Sequence, residues 1–523
     1  MKKILVFIFV LLSAIAFMAY FYFSKLGTEN NAKDLALQSA TNNAAVVFSF
    51  RNDKSFYEII AAQQLIQQVI GEEKSELLSQ LKNLVINNNT LNGYINDQNI
   101  YISLLPDSNK KINFLITVQL QPEKDLSKLN SALQSSSFIS SFGEDIYKIK
   151  VTDSLLAYAR LKDRVITVST SLQLINNASV RLAENPFTDY IKENSRNNKN
   201  ALAQVYINFN QAPLLLKNIL SKNIDGNLSV LNKQNSYAAL NYNFSKEKVL
   251  FNGTTSLKNE DNYLKLFENS HPQSTTIQNI LPENTANYII YTFNDYKTWS
   301  ANFNTYLART KQLEKTRTAI NNVKKDFRTD LNTVFPVYTK NQFTTFQLNT
   351  AEKIAAIELS NGEKVKQLLI DVSTDYSEDI KIFKSSHILY SYFGEPFRNF
   401  SRPYYTIIDN YLIVANNAST IQSFLNSYKT NKLLAQTAEY REAMNEISTT
   451  FNVGYYINIK RSSTILKGEI LTDYYTQFHT DNGLKTFDTF CYQMIADKTN
   501  FITNVLLNKY LQPEVPDSLT SRL

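Results

Sequence analysis

The chain carries two versions of one short sequence about 250 residues apart. VYINFN occupies positions 205–210, and YYINIK occupies positions 455–460. Four further matches keep the same order along the chain: 44–56 with 287–299, 114–129 with 355–369, 161–175 with 407–425, and 243–252 with 494–504. Their offsets stay between 240 and 252 residues, which composition alone does not produce. The sequence therefore predicts an internal duplication of one long unit, far longer than the repeat of a solenoid.

The duplication divides the chain of 523 residues, which is too long for one typical core. The predicted segments are 1–24, a signal anchor or transmembrane helix; 25–40, a spacer; 41–262, a first α+β repeat; 263–284, a linker; 285–510, a second α+β repeat; and 511–523, a C-terminal tail. The linker is predicted from its prolines and small polar residues.

Periodicity within each unit indicates the fold class. β-Branched and aromatic runs such as NIYISLLP (99–106) and INFLITVQL (112–120) predict strands joined by turns. PEKDLSKLNSAL (122–133) predicts an amphipathic helix, and a longer helical region is predicted between Phe56 and Val85. We therefore expect an N-terminal transmembrane helix followed by two related α+β domains. Each would be a largely antiparallel sheet covered by helices on one face.

The shared Tyr-Ile-Asn has a structural interpretation and a functional one. At strand spacing, Ile207 and Ile457 would pack on one face of the sheet, and the flanking Tyr and Asn would lie on the other. The two segments are then equivalent strands of the duplicated unit. The alternative, a Tyr and Asn binding pair, stays open because duplication preserves core positions as readily as sites.

The N-terminus predicts membrane attachment. Ile4 to Phe23 form a run of twenty residues without a charge, which as a helix reaches about 30 Å, the thickness of a bilayer core. Lys2 and Lys3 favour a cytoplasmic position for the preceding end. A cleaved signal peptide is the alternative, since Ala14 and Ala16 have the small-x-small form. Both predict that residues from about 25 onward face the periplasm or exterior of a bacterial cytoplasmic membrane.

Charge and cysteine content exclude several classes of function. The formal net charge of +7 is spread along the chain, and its densest basic stretch (313–330) alternates in sign at helical spacing. No nucleic-acid partner is predicted. A single cysteine, Cys491, allows neither an intramolecular disulfide nor a cysteine-based zinc site, and it is expected in the core. A large exported region without disulfides is typical of bacterial envelopes.

No constellation for catalysis, metal binding or cofactor binding is found in the sequence. The histidines, His271, His387 and His479, are isolated from one another, and no phosphate-binding or nucleophile motif occurs. Adjacent carboxylates such as Glu144 and Asp145 are expected to be solvated. Folding could still bring two acids together for glycoside chemistry, so a hydrolase stays open as an alternative. No catalytic residue, cofactor or metal is predicted.

Aromatic residues, at 12%, are the one compositional excess. In the stretches 388–397 and 402–414 they are predicted to occupy alternating strand positions, which cross-strand packing would explain. The functional alternative is an exposed aromatic surface that binds a protein, a glycan or a lipid. Its members would be Tyr390, Tyr392, Tyr404, Tyr405 and Tyr411.

The layout resembles a known class of protein. An N-terminal anchor, a polar spacer, an Ala-rich approach to the first strand (SATNNAAVVFSF, 39–50) and a repeated α+β unit resemble uncharacterised exported bacterial proteins grouped under a domain of unknown function. This resemblance implies an envelope location and supplies no catalytic residues. The leading hypothesis is a membrane-anchored, non-enzymatic envelope protein that binds or scaffolds through two duplicated domains. The alternatives are a periplasmic carrier of lipid or another hydrophobe, and a hydrolase with fold-assembled carboxylates.

Overall fold

The computed structural model describes most of the chain between residues 34 and 509. The described residues are 34–53, 76, 79–80, 89–106, 112–121, 124–134, 138–143, 145–152, 155–178, 185–197, 201–222, 235–244, 248–480 and 483–509. The predicted anchor, and all but residues 76, 79 and 80 of the helical region predicted between Phe56 and Val85, lie outside them. Among the described residues, no helix is both long enough and apolar enough to cross a membrane.

In the described residues, ten strands form the first half of a continuous antiparallel sheet. They are β1 (Val46–Arg51), β2 (Asn99–Pro106), β3 (Ile112–Gln119), β4 (Ile139–Ser141), β5 (Ile146–Lys150), β6 (Leu156–Lys162), β7 (Val165–Ser169), β8 (Ala203–Asn208), β9 (Ser236–Phe244) and β10 (Lys248–Leu257). Their order across the sheet is β4-β5-β6-β7-β3-β2-β1-β8-β9-β10. The predicted strands NIYISLLP and INFLITVQL are confirmed as β2 and β3.

Ten more strands of the described residues form the second half. They are β12 (Thr285–Thr292), β13 (Thr339–Leu348), β14 (Lys353–Leu359), β15 (Ser373–Asp375), β16 (Lys381–Phe383), β17 (Tyr404–Ile408), β18 (Tyr411–Ala415), β20 (Val453–Asn458), β21 (Thr489–Asp497) and β22 (Asn500–Asn508). Their order is β15-β16-β17-β18-β14-β13-β12-β20-β21-β22. Strand for strand, this is the order of the first half. A separate ribbon pairs β11 (Gln273–Ser274) with β19 (Thr450–Phe451).

Pairing registers in the two halves agree with the sequence offsets. Tyr206 lies opposite Ala239 in the first half, and Tyr456 lies opposite Cys491 in the second. These positions are 250 and 252 residues apart, as the sequence matches predict. Val47 of β1 lies opposite Tyr206, and Tyr288 of β12 lies opposite Tyr456. The registers therefore make Val47 and Tyr288 equivalent, at an offset of 241 residues, whereas the sequence match of these strands has an offset of 243. A difference of two residues leaves each side chain on the same face of its strand.

The two halves meet where β10 pairs with β22, and we call this pair the seam. Its antiparallel register places Asn252 opposite Asn504. These two asparagines are also the positions that the sequence matches make equivalent, so the pairing is centred on a local twofold relation between the last strands of the halves. Within the seam the hydroxyl oxygens of Thr255 and Thr503 lie 2.7 Å apart and are buried.

Helices cover the sheet. The described helices are α1 (Leu35–Thr41), α2 (Asn89–Ile95), α3 (Leu126–Gln134), α4 (Leu172–Asn177), α5 (Pro186–Asn197), α6 (Ala212–Ile219), α7 (Tyr296–Arg309), α8 (Leu313–Phe327), α9 (Phe335–Tyr338), α10 (Gly362–Leu368), α11 (Ile388–Phe393), α12 (Ala418–Lys429), α13 (Ala438–Asn445), α14 (Ser463–Glu469) and α15 (Thr472–Phe478). Side chains cap several of them. Asp295, for example, accepts a 2.8 Å hydrogen bond from the Thr298 amide at the start of α7.

The second half has a core on both faces of its sheet, so the expectation of helices on one face was wrong there. In β12, Tyr288 and Ile290 belong to a cluster that includes residues of α12 and α13, whereas Ile289 and Tyr291 belong to a cluster with α7, α8 and α11. The cause lies in the sequence of β12, because NYIIYT is apolar at consecutive positions and is buried on both sides.

The predicted linker is packed against the second half. Residues 263–284 contain two 3₁₀ turns, and Ile277 and Leu281 are fully buried. The Gln342 side chain accepts 3.1 Å hydrogen bonds from the amides of Thr276 and Ile277. Gln342 in turn donates to the buried Glu358. This polar contact ties the connection between the halves to β13 and β14.

Gly253 allows the strands next to the seam to approach closely. A Cβ atom added there would lie 2.0 Å from the Ala239 carbonyl oxygen of β9. We expect Gly253→Ala to lower the free energy of unfolding by about 1–3 kcal/mol, because either β9 or β10 must shift. Chemical denaturation of the two proteins measures the difference.

Gly468 in α14 is the matched control, since a Cβ atom added there meets nothing within 4 Å. Gly468→Ala should raise the free energy of unfolding by about 0.4–1 kcal/mol through reduced backbone entropy of the unfolded chain. Equal stability of the two variants would show that the approach at Gly253 is not tight.

Candidate functional site

The five tyrosines of the predicted aromatic surface lie on two kinds of element. Tyr404, Tyr405 and Tyr411 belong to the β17–β18 hairpin, as predicted. Tyr390 and Tyr392 lie on α11, so the strand predicted over 388–397 was wrong. The apolar residues that α11 buries are spaced as in a helix and not in alternation: they are Ile388, Leu389, Tyr392 and Phe393. Gly394, with φ of 73°, ends this helix.

Only part of this set reaches the surface. Tyr392 and Tyr405 are buried, at 4% and 1% exposure, and the Tyr405 hydroxyl lies 2.7 Å from that of Ser373. Tyr390, Tyr404 and Tyr411 are half-buried. The structure therefore does not bring the five rings together as one continuous exposed surface.

Two equivalent hairpins do expose aromatic rings. The turn between β4 and β5 reads SFGEDI (141–146), and the turn between β15 and β16 reads DYSEDI (375–380). We call them tip A and tip B. In tip A the amides of Phe142 and Gly143 both donate to the Ile146 carbonyl, at 2.9 and 3.1 Å. In tip B the amides of residues 376 and 377 donate to the carbonyl of residue 380 at 2.9 and 3.0 Å.

The exposed ring of each tip rests on a tyrosine of the neighbouring hairpin strand. Phe142 is 51% exposed and meets Tyr158 edge-on, with ring centroids 5.5 Å apart. Tyr376 is 61% exposed and meets Tyr404 edge-on at 5.2 Å. The supporting tyrosines are equivalent by register, because Tyr158 lies opposite Lys148 and Tyr404 opposite Ile382. One rim of each ring therefore stays in solvent while its orientation is fixed.

A charged pair flanks each tip. In tip A, the Asp145 carboxylate accepts a 2.8 Å hydrogen bond from the Nε of Arg160. In tip B, the Asp379 carboxylate lies 3.1 Å from the Nζ of Lys429. The cation differs in type and in position along the chain, whereas the aromatic and acidic residues recur. Both tips thus present an exposed ring beside a carboxylate.

The tips lie at the two outer ends of the sheet. Among the described residues, β4 pairs only with β5, and β15 pairs only with β16. A sequence signal for them exists, since FGEDI and YSEDI share three letters in order. Their offset is 234 residues, which falls outside the range of 240–252 that the other matches define, so the sequence comparison missed them.

Carboxamide side chains form a second shared feature on the surface. By register, one row crosses five neighbouring strands: Gln204, Asn241, Asn252, Asn504 and Gln493. The row is buried at both ends and most exposed at the seam. Carboxamides both donate and accept hydrogen bonds. The row therefore offers an uncharged polar surface at the centre of the molecule.

The buried acids of the described residues lie in ion pairs. The buried carboxylates of the described residues, Glu268, Glu358 and Asp488, each pair with a lysine: Lys265 at 2.8 Å, Lys340 at 2.8 Å and Lys460 at 2.6 Å. Burial raises the pKa of Glu268, against the opposing effect of Lys265. No group of three or more His, Cys, Asp or Glu side chains within this part of the chain could hold a metal ion.

The histidines remain apart. His387 lies at the start of α11, where its Nε2 is 3.1 Å from the Ser401 hydroxyl. His479 stacks on Tyr475 at the end of α15. Neither ring contacts a carboxylate in the described residues, so no acid–base pair is formed around them.

A family comparison covers part of the second half. Residues 338–473, about a quarter of the chain, match the family model described as "Protein of unknown function (DUF3352)". The matched stretch runs from the end of α9 into α15 and includes tip B. No curated protein and no solved structure matches the chain. The match supports the resemblance to a family defined by a domain of unknown function, and it assigns no activity.

Cys491 is confirmed as a core residue, with 1% exposure and a thiol pKa that burial raises. We therefore expect no reaction with N-ethylmaleimide in native protein at pH 8 and full reaction in denaturant, because the thiolate is the reactive form. Mass spectrometry counts the added groups. In Val337→Cys, where the native side chain is 59% exposed, one group should be added under native conditions. Native labelling of the unsubstituted chain would contradict the burial of Cys491.

Proposed function

We infer that the protein is a non-enzymatic binding or scaffolding protein that contacts its partner through the two equivalent hairpin tips. The observation that carries this inference is the repetition of an exposed aromatic residue, its tyrosine support and the E-D-I sequence at both ends of the sheet. A single exposed aromatic ring is ordinary in a soluble domain. Its recurrence in both halves is what a shared binding role would preserve.

The duplication of the unit is part of the proposal. It is supported by the identical strand order of the halves, by the matching registers at β8 and β20, and by the seam centred on Asn252 and Asn504. Duplicated cores retain buried residues because packing demands them. Packing does not require an aromatic residue at either tip, because more than half of each ring is exposed to solvent.

The chemistry of the tips fits a protein surface. Aromatic side chains supply a large share of binding energy when a partner removes them from water. Each ring has a carboxylate next to it in the chain or across the turn. A partner with an apolar pocket beside a basic side chain would satisfy both groups. Two tips would allow one molecule to hold two copies of that partner.

Affinity isolation of the full-length protein from its own cells in mild detergent tests this role. We expect a protein partner that the double variant Phe142→Ser/Tyr376→Ser loses, with at least about tenfold weaker capture, because hot-spot aromatic residues contribute 2 kcal/mol or more. Proteins and lipids that copurify are both identified by mass spectrometry.

The matched control is Val337→Ser/Ile370→Ser, which removes two equally exposed apolar side chains outside the tips. This variant should capture the partner as the unsubstituted protein does. A partner that survives loss of both tips would contradict the proposed surface. Bound lipid without any protein partner would favour a carrier of hydrophobic molecules in place of a scaffold.

The proposal includes attachment to a bacterial cytoplasmic membrane through residues 4–23, with the folded part on the outer side. It rests on the length and apolar character of this segment and on the preceding lysines. We expect deletion of residues 4–23 together with addition of a cleavable export signal to move the protein from the membrane fraction to the soluble periplasmic fraction. Recovery of the unaltered protein in a soluble fraction would contradict the anchor.

A further inference from the structure

A buried polar cluster lies on the sheet beneath α13, apart from both tips. Asn458, Thr489 and Asn508 stand directly opposite one another on β20, β21 and β22. Residues opposite each other in antiparallel strands project from the same face. All three are at most 4% exposed. Tyr456, two residues before Asn458 on the same strand, projects from this face too and is fully buried.

Four polar atoms in this cluster have no hydrogen-bond partner among the residues that the structure describes. They are the hydroxyl oxygens of Tyr456 and Thr489, Nδ2 of Asn508 and Nη1 of Arg461. Buried polar groups are almost always paired, and an unpaired one costs about 1–3 kcal/mol. Thirteen buried side-chain atoms of the described residues lack a partner, and four of them lie around this one patch of sheet.

The four atoms belong to one neighbourhood. Burial raises the pKa of Tyr456, whereas the polar side chains of Asn458 and Thr489 and the charge of Arg461 lower it. All three side chains therefore lie near the Tyr456 hydroxyl, although none of them completes a hydrogen bond of good geometry with it. Asn508 adjoins Thr489 across the β21–β22 pair. The Arg461 amide donates to Oδ1 of Asn458 at 2.8 Å, which positions the arginine at the edge of the cluster.

In the first half, the tyrosine hydroxyl at the equivalent position has a hydrogen-bond partner. Tyr206, the equivalent of Tyr456, donates a 2.6 Å hydrogen bond to Gln204. The residue equivalent to Gln204 is Gly454, which has no side chain to accept such a bond, and the ring of Phe451 occupies the adjoining space.

A second substitution separates the halves. Where the first half has Tyr237, whose ring stacks on Phe187 with centroids 5.3 Å apart, the second half has the small Thr489. The second half therefore has the unpaired Thr489 hydroxyl at the position where the first half has a stacked aromatic pair. This difference is specific to one half, so the duplication does not account for it.

The unpaired atoms define the chemistry of a ligand. Nη1 of Arg461 and Nδ2 of Asn508 can only donate, and the hydroxyls of Tyr456 and Thr489 can also donate. Glu439 accepts a 2.8 Å hydrogen bond from Nη2 of Arg461, and Nη1 has no partner among the described residues. The side chains of Arg461 and Glu439 are 20% and 25% exposed, so the cluster reaches the surface at this end.

We propose that Tyr456, Arg461, Thr489 and Asn508 form a binding site for a small oxyanion, a carboxylate or a phosphate, that enters beside Glu439. An oxyanion supplies several acceptor oxygens to the four donors, and the arginine supplies a charge-assisted bond. This site is independent of the two tips.

Orthophosphate and acetate are the probes, titrated separately into the full chain in mild detergent and followed by calorimetry. We expect at least one of them to bind. Thr489→Val and Arg461→Gln should weaken that binding by about tenfold or more each, as expected for bonds to a charged ligand. The stronger probe identifies the ligand as a carboxylate or as a phosphate.

Tyr456→Phe and Tyr206→Phe form a matched pair, because each removes one buried hydroxyl from an equivalent strand. Tyr456→Phe should leave the thermal midpoint of the ligand-free protein unchanged or raised and should weaken oxyanion binding. Tyr206→Phe should lower the midpoint and leave binding unchanged.

Three results would overturn the site. They are no binding of either probe, binding by Thr489→Val, Arg461→Gln and Tyr456→Phe as tight as by the unsubstituted protein, or equally tight binding of glycerol, which carries no charge. A lowered midpoint in ligand-free Tyr456→Phe would show that this hydroxyl is paired within the protein, and it would also overturn the proposal.

Discussion

The antiparallel pairing of β10 with β22 is the interaction on which the rest of the architecture depends. These are the last strands of their halves, and without each other both would present a row of unpaired backbone N–H and C=O groups. Their pairing converts two sheets of ten strands into one of twenty. It also fixes the direction of each half relative to the other, and so determines that the two hairpin tips lie at opposite ends.

The same strand order supports different interiors in the two halves. The second half buries both faces of its sheet, with Tyr288 in one cluster and Tyr291 in the other. Tyrosine serves this packing because its ring is apolar, but each buried hydroxyl needs a partner. The hydroxyls of Tyr288 and Tyr440 lie 2.9 Å apart, whereas that of Tyr456 has no hydrogen-bond partner among the described residues. Packing alone accounts for a buried tyrosine whose hydroxyl is paired, and it does not account for one whose hydroxyl is unpaired.

Much of the fold could be predicted because its strands are short alternating runs with clear turns. The registers at β8, β9 and β10 follow the sequence offsets to the residue. Local periodicity could not show that NYIIYT is buried on both faces, since that depends on which helices pack there. It also failed at α11, where tyrosines at alternating positions concealed the helical spacing of the buried residues.

The candidate sites were harder to predict than the fold. Tyr404 was selected for its aromatic neighbours in the chain, yet its ring contact is Tyr376, twenty-eight residues away and absent from the predicted set. The cluster around Tyr456 combines residues of three strands and the turn after β20. No spacing along the chain relates Arg461 to Asn508. The pairing of β20 with β21 and of β21 with β22 brings Asn458, Thr489 and Asn508 into one row, and Arg461 follows β20 in the chain.

Pairing at the seam also bears on how the protein behaves at high concentration. Long, flat and exposed edge strands are templates for aggregation, and β10 and β22, with ten and nine residues, would be such templates. Each protects the other. In the described part of the chain, the edges of the twenty-stranded sheet are β4 and β15, of three residues each and largely polar (ISS and STD). A sheet of twenty strands thus leaves little backbone with which a second molecule could pair.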